Sequence, residues 1–189
     1  MSLILLSHLA AAETYTIDSS HTYVGFKVTH MTVSSVRGEF GEVSGTVVYD
    51  PDDLSATTVT ATVGVGSLDT RDAKRDDHLR GDDFFDVVQF PEATFTSTRV
   101  DGIGKDGSFD VVGDLTLHGV TKETTFHFSP ISDEIIDPWG NHKRGGSAAA
   151  TIDRQDFGMS WNKTLDAGGL AVGDEVAIEI EIELNGPKE

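Results

Sequence analysis

Between residues 175 and 184 the chain alternates almost without a fault. Val176, Ile178, Ile180, Ile182 and Leu184 fall on one parity, and Glu175, Glu179, Glu181 and Glu183 on the other. Wound at a helical period, these glutamates would surround the cylinder; at a period of two they make a strand with one dry and one wet face. That is the pattern of antiparallel sheet buried on one side. It recurs through the chain: Val24, Phe26, Val28 and His30 against Tyr23, Lys27 and Thr29; Val43, Gly45, Val47 and Tyr49 within a run from Glu39; Val59, Ala61, Val63 and Val65 against threonines. Further on come Phe109, Val111, Gly113, Leu115 and Leu117, then Phe126 and Phe128. Turn signals such as Asp50-Pro51, Asp101-Gly102, His118-Gly119 and Asp137-Pro138 divide the runs. About eight strands result, the number at which a closed barrel can hold one small ligand. A two-sheet sandwich gives the same pattern, so periodicity leaves barrel and sandwich open.

One segment refuses the period. Residues 70–81 carry no strand alternation; Asp69 or Thr70 is placed to cap a helix, Arg80 to end it and Gly81 to stop it. A short helix across one end of the sheet is expected, with the Phe84-Phe85 pair after it buried at that same end.

With 189 residues the chain suits one domain. Its formal charge of −18 repels phosphate backbones and anionic headgroups. Nucleic acid is therefore not expected as a partner, nor is attachment through a basic patch. Cysteine is absent, which removes disulfides, thiolate metal sites and thiol nucleophiles. The apolar run Leu3–Leu6 leading to Ala10-Ala11-Ala12 reads as the tail of a secretory signal. Residues 1–12 are taken as a signal remnant and 13–189 as the domain, periplasmic or secreted, without stable membrane insertion. The histidines show no metal-ligand spacing, and no nucleophile motif, phosphate loop or dinucleotide fingerprint occurs. No catalytic residue, metal or required cofactor is assigned.

Several blocks are similar to one known family. They are Tyr15-Thr16-Ile17-Asp18-Ser19-Ser20-His21-Thr22, Val36-Arg37-Gly38-Glu39-Phe40, and Arg75-Asp76-Asp77-His78-Leu79-Arg80-Gly81-Asp82-Asp83-Phe84-Phe85-Asp86 running into Phe90-Pro91. Gly113-Asp114-Leu115-Thr116-Leu117-His118-Gly119 and Ile152-Asp153-Arg154-Gln155-Asp156-Phe157-Gly158 follow. In order along nearly the whole chain, they resemble the YceI-like, polyisoprenoid-binding periplasmic proteins. One departure is Gly81, where that family often carries Ser.

The resemblance implies an all-β fold, an eight-stranded antiparallel lipocalin-like β-barrel with a short helix near one opening. It also implies a long-chain isoprenoid lipid, a polyprenyl phosphate or an isoprenoid quinone, bound inside for storage or transport. The expected lining is Val24, Phe26, Val28, Phe40, Val63, Val65, Phe84, Phe85, Phe95, Leu115, Leu117, Phe126, Phe157 and Ile180. His21, His30, Arg75 and His78 are the candidates for meeting a headgroup at the mouth. Strand alternation builds any core; only the resemblance turns these positions into a ligand channel. A lipid-modifying enzyme using His and Arg at the mouth, and a stress-related interaction protein with an incidental lipid, are the competing readings. A homodimer is left open.

Overall fold

A computed structural model describes residues 12–166 and 168–187. The signal remnant expected at 1–12 lies, Ala12 apart, outside the described residues. Among the described residues there are twelve strands: β1 Glu13–Ile17, β2 Tyr23–His30, β3 Ser34–Phe40, β4 Val43–Tyr49, β5 Thr58–Gly64, β6 Leu68–Asp69, β7 Glu92–Asp101, β8 Phe109–Leu117, β9 Val120–Phe128, β10 Ile135–Ile136, β11 His142–Asp153 and β12 Val172–Asn185, with one α-helix, α1, Ala73–Arg80.

The strands form eight staves. β1 and β2 run in the same direction along one edge of β12: Ile17 faces Leu184 and Tyr23 faces Glu181. Residues 18–22 therefore stand against only residues 182 and 183, a bulged corner within one long stave. β3 with β4 makes a second stave, broken at residues 41–42, because β3 pairs with β2 and β4 with β1. β5 and β6 make a third, broken at the 3-10 turn Val65–Ser67. The second and third breaks are stitched together: Gly64 N–H donates to Glu42 O at 2.9 Å, and Glu42 N–H to Ser67 Oγ at 3.0 Å. β7, β8, β9, β11 and β12 complete an up-and-down order, and eleven register pairs between β11 and β12 close the ring. The chain is a closed eight-staved antiparallel barrel, which leaves no room for a sandwich.

Two sequence expectations need revision. The run from Glu39 to Tyr49 is not one strand, and that is why Phe40 and Val43, on opposite parities, both face inward. The helix begins at Ala73, not at Thr70, because Asp72 caps it by accepting from Arg75 N–H at 3.1 Å. Asp69 and Thr70 have other uses: Asp69 accepts from Arg71 N–H, and Thr70 N–H donates to the buried Asp76 carboxylate at 2.9 Å.

The connections separate into two ends. Residues 31–33, the segment 65–91 with α1, the turn 118–119 and the loop residues 154–166 and 168–171 lie at one end; residues 50–57, 102–108 and 129–141 lie at the other. The β9–β11 seam is thin, with two register pairs, Ala148↔Phe128 and Ala149↔His127. Beside it sits the 3-10 turn Arg154–Phe157, whose Phe157 carbonyl lies 3.0 Å from His118 Nδ1.

Candidate functional site

The barrel interior divides along its length. At the end away from α1 it is packed: Tyr15, Phe109 and Leu184 are each about 1% exposed, and Phe109 stacks on Phe128 with centroids 5.3 Å apart. Arg144 lies 5.7 Å from the ring centre of Tyr15 and 5.3 Å from that of Tyr49, near enough for cation–π attraction. The Tyr15 hydroxyl accepts from Arg144 Nε at 2.9 Å and has carboxylate oxygens of Glu134 and Glu13 at 2.8 and 2.9 Å, one of which takes its proton. Burial pushes the Tyr15 phenol well above the usual tyrosine range and raises that of Tyr49. Both stay neutral, and the end is stoppered.

Above this plug the side chains withdraw and leave a cavity. On β12 its lining runs from Ile182 to Val172, ten residues or about 33 Å of strand, and about 25 Å of barrel axis at the usual tilt. It is narrow, since the centre of a water molecule can reach only about 200 Å³ of it. The walls are mostly valine, isoleucine, leucine and phenylalanine, with Gly25, Ala61, Ala93 and Met159 between them and Thr22, Thr94 and Arg154 as the polar exceptions. Leu79 from α1 and the pair Phe84-Phe85 bound it at the top, where Phe85 meets Phe40 edge-on at 5.9 Å.

Of the expected lining residues, Val24, Phe26, Val28, Phe40, Val63, Phe84, Phe85, Phe95, Leu115, Leu117, Phe126 and Ile180 all face this cavity. Val65 and Phe157 do not. Val65 continues the parity of β5, but the strand stops at Gly64 and the chain turns, burying Val65 under the 65–91 segment with its N–H on Pro91 O. Phe157 belongs to the 3-10 turn and packs into the core beside the seam.

None of the four headgroup candidates lines the cavity. His21 is exposed at the corner, 3.2 Å from Asp18. His30 ends β2. Arg75 is spent on Thr70, donating from Nε to its hydroxyl at 2.7 Å and from Nη2 to its carbonyl at 2.6 Å. His78 comes nearest, on the helix turn beside Leu79, edge-on to Phe84 and Trp161 at 5.1 and 5.0 Å, with Nε2 2.9 Å from Asp83. Arg80 is also occupied, by the carbonyls of Gly66 and Leu68.

The sequence offered no signal for Leu79, Met159 or Val172, which reach the cavity from a helix, a loop and the first residue of β12. Arg154 is the larger omission as a lining residue. It is 3% exposed, and it donates to Gly173 O at 2.8 Å, Trp161 O at 3.0 Å, Met159 O, and Asp174 Oδ1 at 3.0 Å. A guanidinium has five N–H groups, and four are thus engaged in tying Met159 and Trp161 to Gly173 and Asp174 at the start of β12.

Asp18, His21 and Glu183 come within metal-ligand reach of one another. Lys143 occupies the charge position a cation would take, donating to Asp18 at 2.8 Å and Glu183 at 2.7 Å.

The model of the YceI-like domain matches residues 15–184. The chain belongs to the YceI-like family. Protein YceI of Salmonella newport is 37% identical over 182 residues, covering 95% of this chain and 92% of its own. The Campylobacter jejuni YceI crystal structure is 32% identical, covers 91% of this chain and 96% of its own, and superposes with a TM-score of 0.69. A polyisoprenoid binding domain from Saccharophagus degradans, at 18% identity and a TM-score of 0.65 over 95% of this chain and all of its own, shares the fold.

Proposed function

We propose that this YceI-like barrel binds a long isoprenoid chain in its interior, as an exported carrier or store and not as an enzyme. The observation that carries this reading is the cavity: tall, narrow, apolar along its length and stoppered below by Tyr15, Phe109 and Leu184. A long channel with apolar walls suits a methyl-branched chain. Each buried methylene contributes about 0.8 kcal/mol, so about ten of them supply about 8 kcal/mol, the scale of micromolar binding before association costs. The polyisoprenoid-binding neighbour from S. degradans supports the ligand class.

With the lower end filled, the head of the ligand stands at the α1 end. Two cations of that end, Arg75 and Arg80, are held by main-chain and threonine oxygens, on a chain of net charge −18. Both facts favour an uncharged head, as on an isoprenoid quinone, over a pyrophosphate. Native mass spectrometry of the purified protein, followed by lipid extraction, tests the reading. One isoprenoid per chain is expected; protein that stays empty when offered isoprenoid quinones and polyprenyl phosphates in detergent contradicts it.

A further inference from the structure

At the α1 end of the barrel the β2–β3 hairpin turns its tip into solvent. Its central residues, Met31 and Thr32, have φ of 50° and 60°. This is the turn that suits a right-twisted hairpin, but it favours Asn and Gly, and neither is present. Met31 N–H donates to Ala171 O at 2.8 Å, which sets the tip beside the end of the loop before β12. Three large apolar side chains of these two segments lie open to water: Met31 is 41% exposed, Val33 82% and Leu170 43%. An apolar tip held in a sparsely populated backbone conformation calls for a use outside the fold.

Charge distribution singles out the same place. Acidic residues number 32 in 189, yet none occurs between Asp18 and Glu39, a stretch that holds Lys27 and Arg37. Residues 157–173 carry one acid, Asp166, and one base, Lys163. The other sector of this end, residues 69–86, carries seven aspartates, and the exposed Ile135, Ile136 and Trp139 at the far end sit among Asp133, Glu134 and Asp137. The hairpin tip is thus an apolar surface with few acids along its own two segments, which a lipid headgroup layer repels weakly. It is also continuous with the cavity: His30, next to the tip, faces Val172, and both Val172 and Val28 line the interior.

We propose that Met31, Val33 and Leu170 seat the barrel on a zwitterionic bilayer surface, where the apolar chain passes between membrane and cavity. This rests on the interior holding a lipid chain. Three shallow side chains give reversible contact, not an anchor.

The test uses the full chain and a double variant, Val33→Asp with Leu170→Asp, whose folding is checked by its melting curve. Both proteins are mixed with phosphatidylcholine vesicles, with and without a long-chain isoprenoid quinone, and followed by flotation and by quinone transfer. The wild type is expected to float, and to do so less with vesicles containing phosphatidylglycerol. The variant is expected to lose flotation and to take up quinone at least about tenfold more slowly. Both should load equally from detergent micelles. A folded variant that floats and transfers like the wild type overturns the proposal. So does a wild-type dimer that the variant splits with transfer unchanged, which makes the tip a contact between copies. If neither protein loads from micelles, the reading of the cavity fails, while flotation of the empty proteins still decides the tip.

Discussion

Arg154 shows how one buried charge can be structural within a binding cavity. Its four donated bonds reach Met159, Trp161, Gly173 and Asp174, so its removal strands carbonyls that water reaches poorly. Arg154→Met is expected to cost about 3 kcal/mol, read as a lower urea midpoint. Lys143 makes a different case. Its bond to Asp18 is the first cause holding that carboxyl far below the ordinary range, with Ser20 next. The folded pKa is depressed, so the associated stability is present above the unfolded value of about 3.9 and is lost as the pH falls through the folded one. Lys143→Met is therefore expected to cost about 2 kcal/mol near neutrality and to shrink the loss of stability on acidification below about pH 4. Urea titrations at pH 3 and pH 7 give both numbers. The sequence announced neither interaction, since Asp18 and Lys143 are separated by most of the barrel's chain and meet only because β11 and the β1–β2 corner both border β12.

Among the elements, the strands were written plainly and their interruptions were not. β12 and β8 lie where alternation places them, because in each one face meets core and the other meets water. β3 and β4 read as one run, because a break of two residues shifts parity without leaving a turn motif. Glycine marks one strain point inside the sheet. Gly45 has φ of 155°, and a Cβ there would run into the Thr60 carbonyl and lie 2.9 Å from the Ala61 Cα. Gly45→Ala is expected to destabilise the barrel by about 2 kcal/mol or more, mostly backbone displacement, visible as a lower melting temperature. Helix α1 depends on its Asp72 cap. Asp72→Ala should cost about 1 kcal/mol and raise hydrogen exchange in residues 73–80 first, since that helix rests on the barrel end instead of within the ring.

For the molecule as a whole, the decisive feature is that packing stops part-way up the barrel. A filled barrel is more stable than one with a void, since lining atoms beside empty space lose their contacts. Replacing Val176 or Ala61, both on the wall, by Phe is therefore expected to leave the melting temperature of the empty protein within a few degrees, while isoprenoid loading falls at least about tenfold. A saturating isoprenoid should raise the wild-type melting temperature by linkage, and leave the filled variant unmoved. Calorimetry with and without ligand measures both.

The sequence by itself determined the antiparallel strands, the short helix over one end, and most of the side chains on the inner wall. These depend on alternation and on neighbours a few residues apart. The tertiary structure alone decided that β11 meets β12 and closes the ring, and that β1 with β2, β3 with β4 and β5 with β6 are single staves. It likewise decided that Val65 and Phe157 turn away from the cavity, and that Arg75 and Arg80 are already engaged. Whether an inward residue lines a channel or fills a core depends on how far the opposite wall stands. That distance is set by closure of the whole barrel, and no local pattern encodes it.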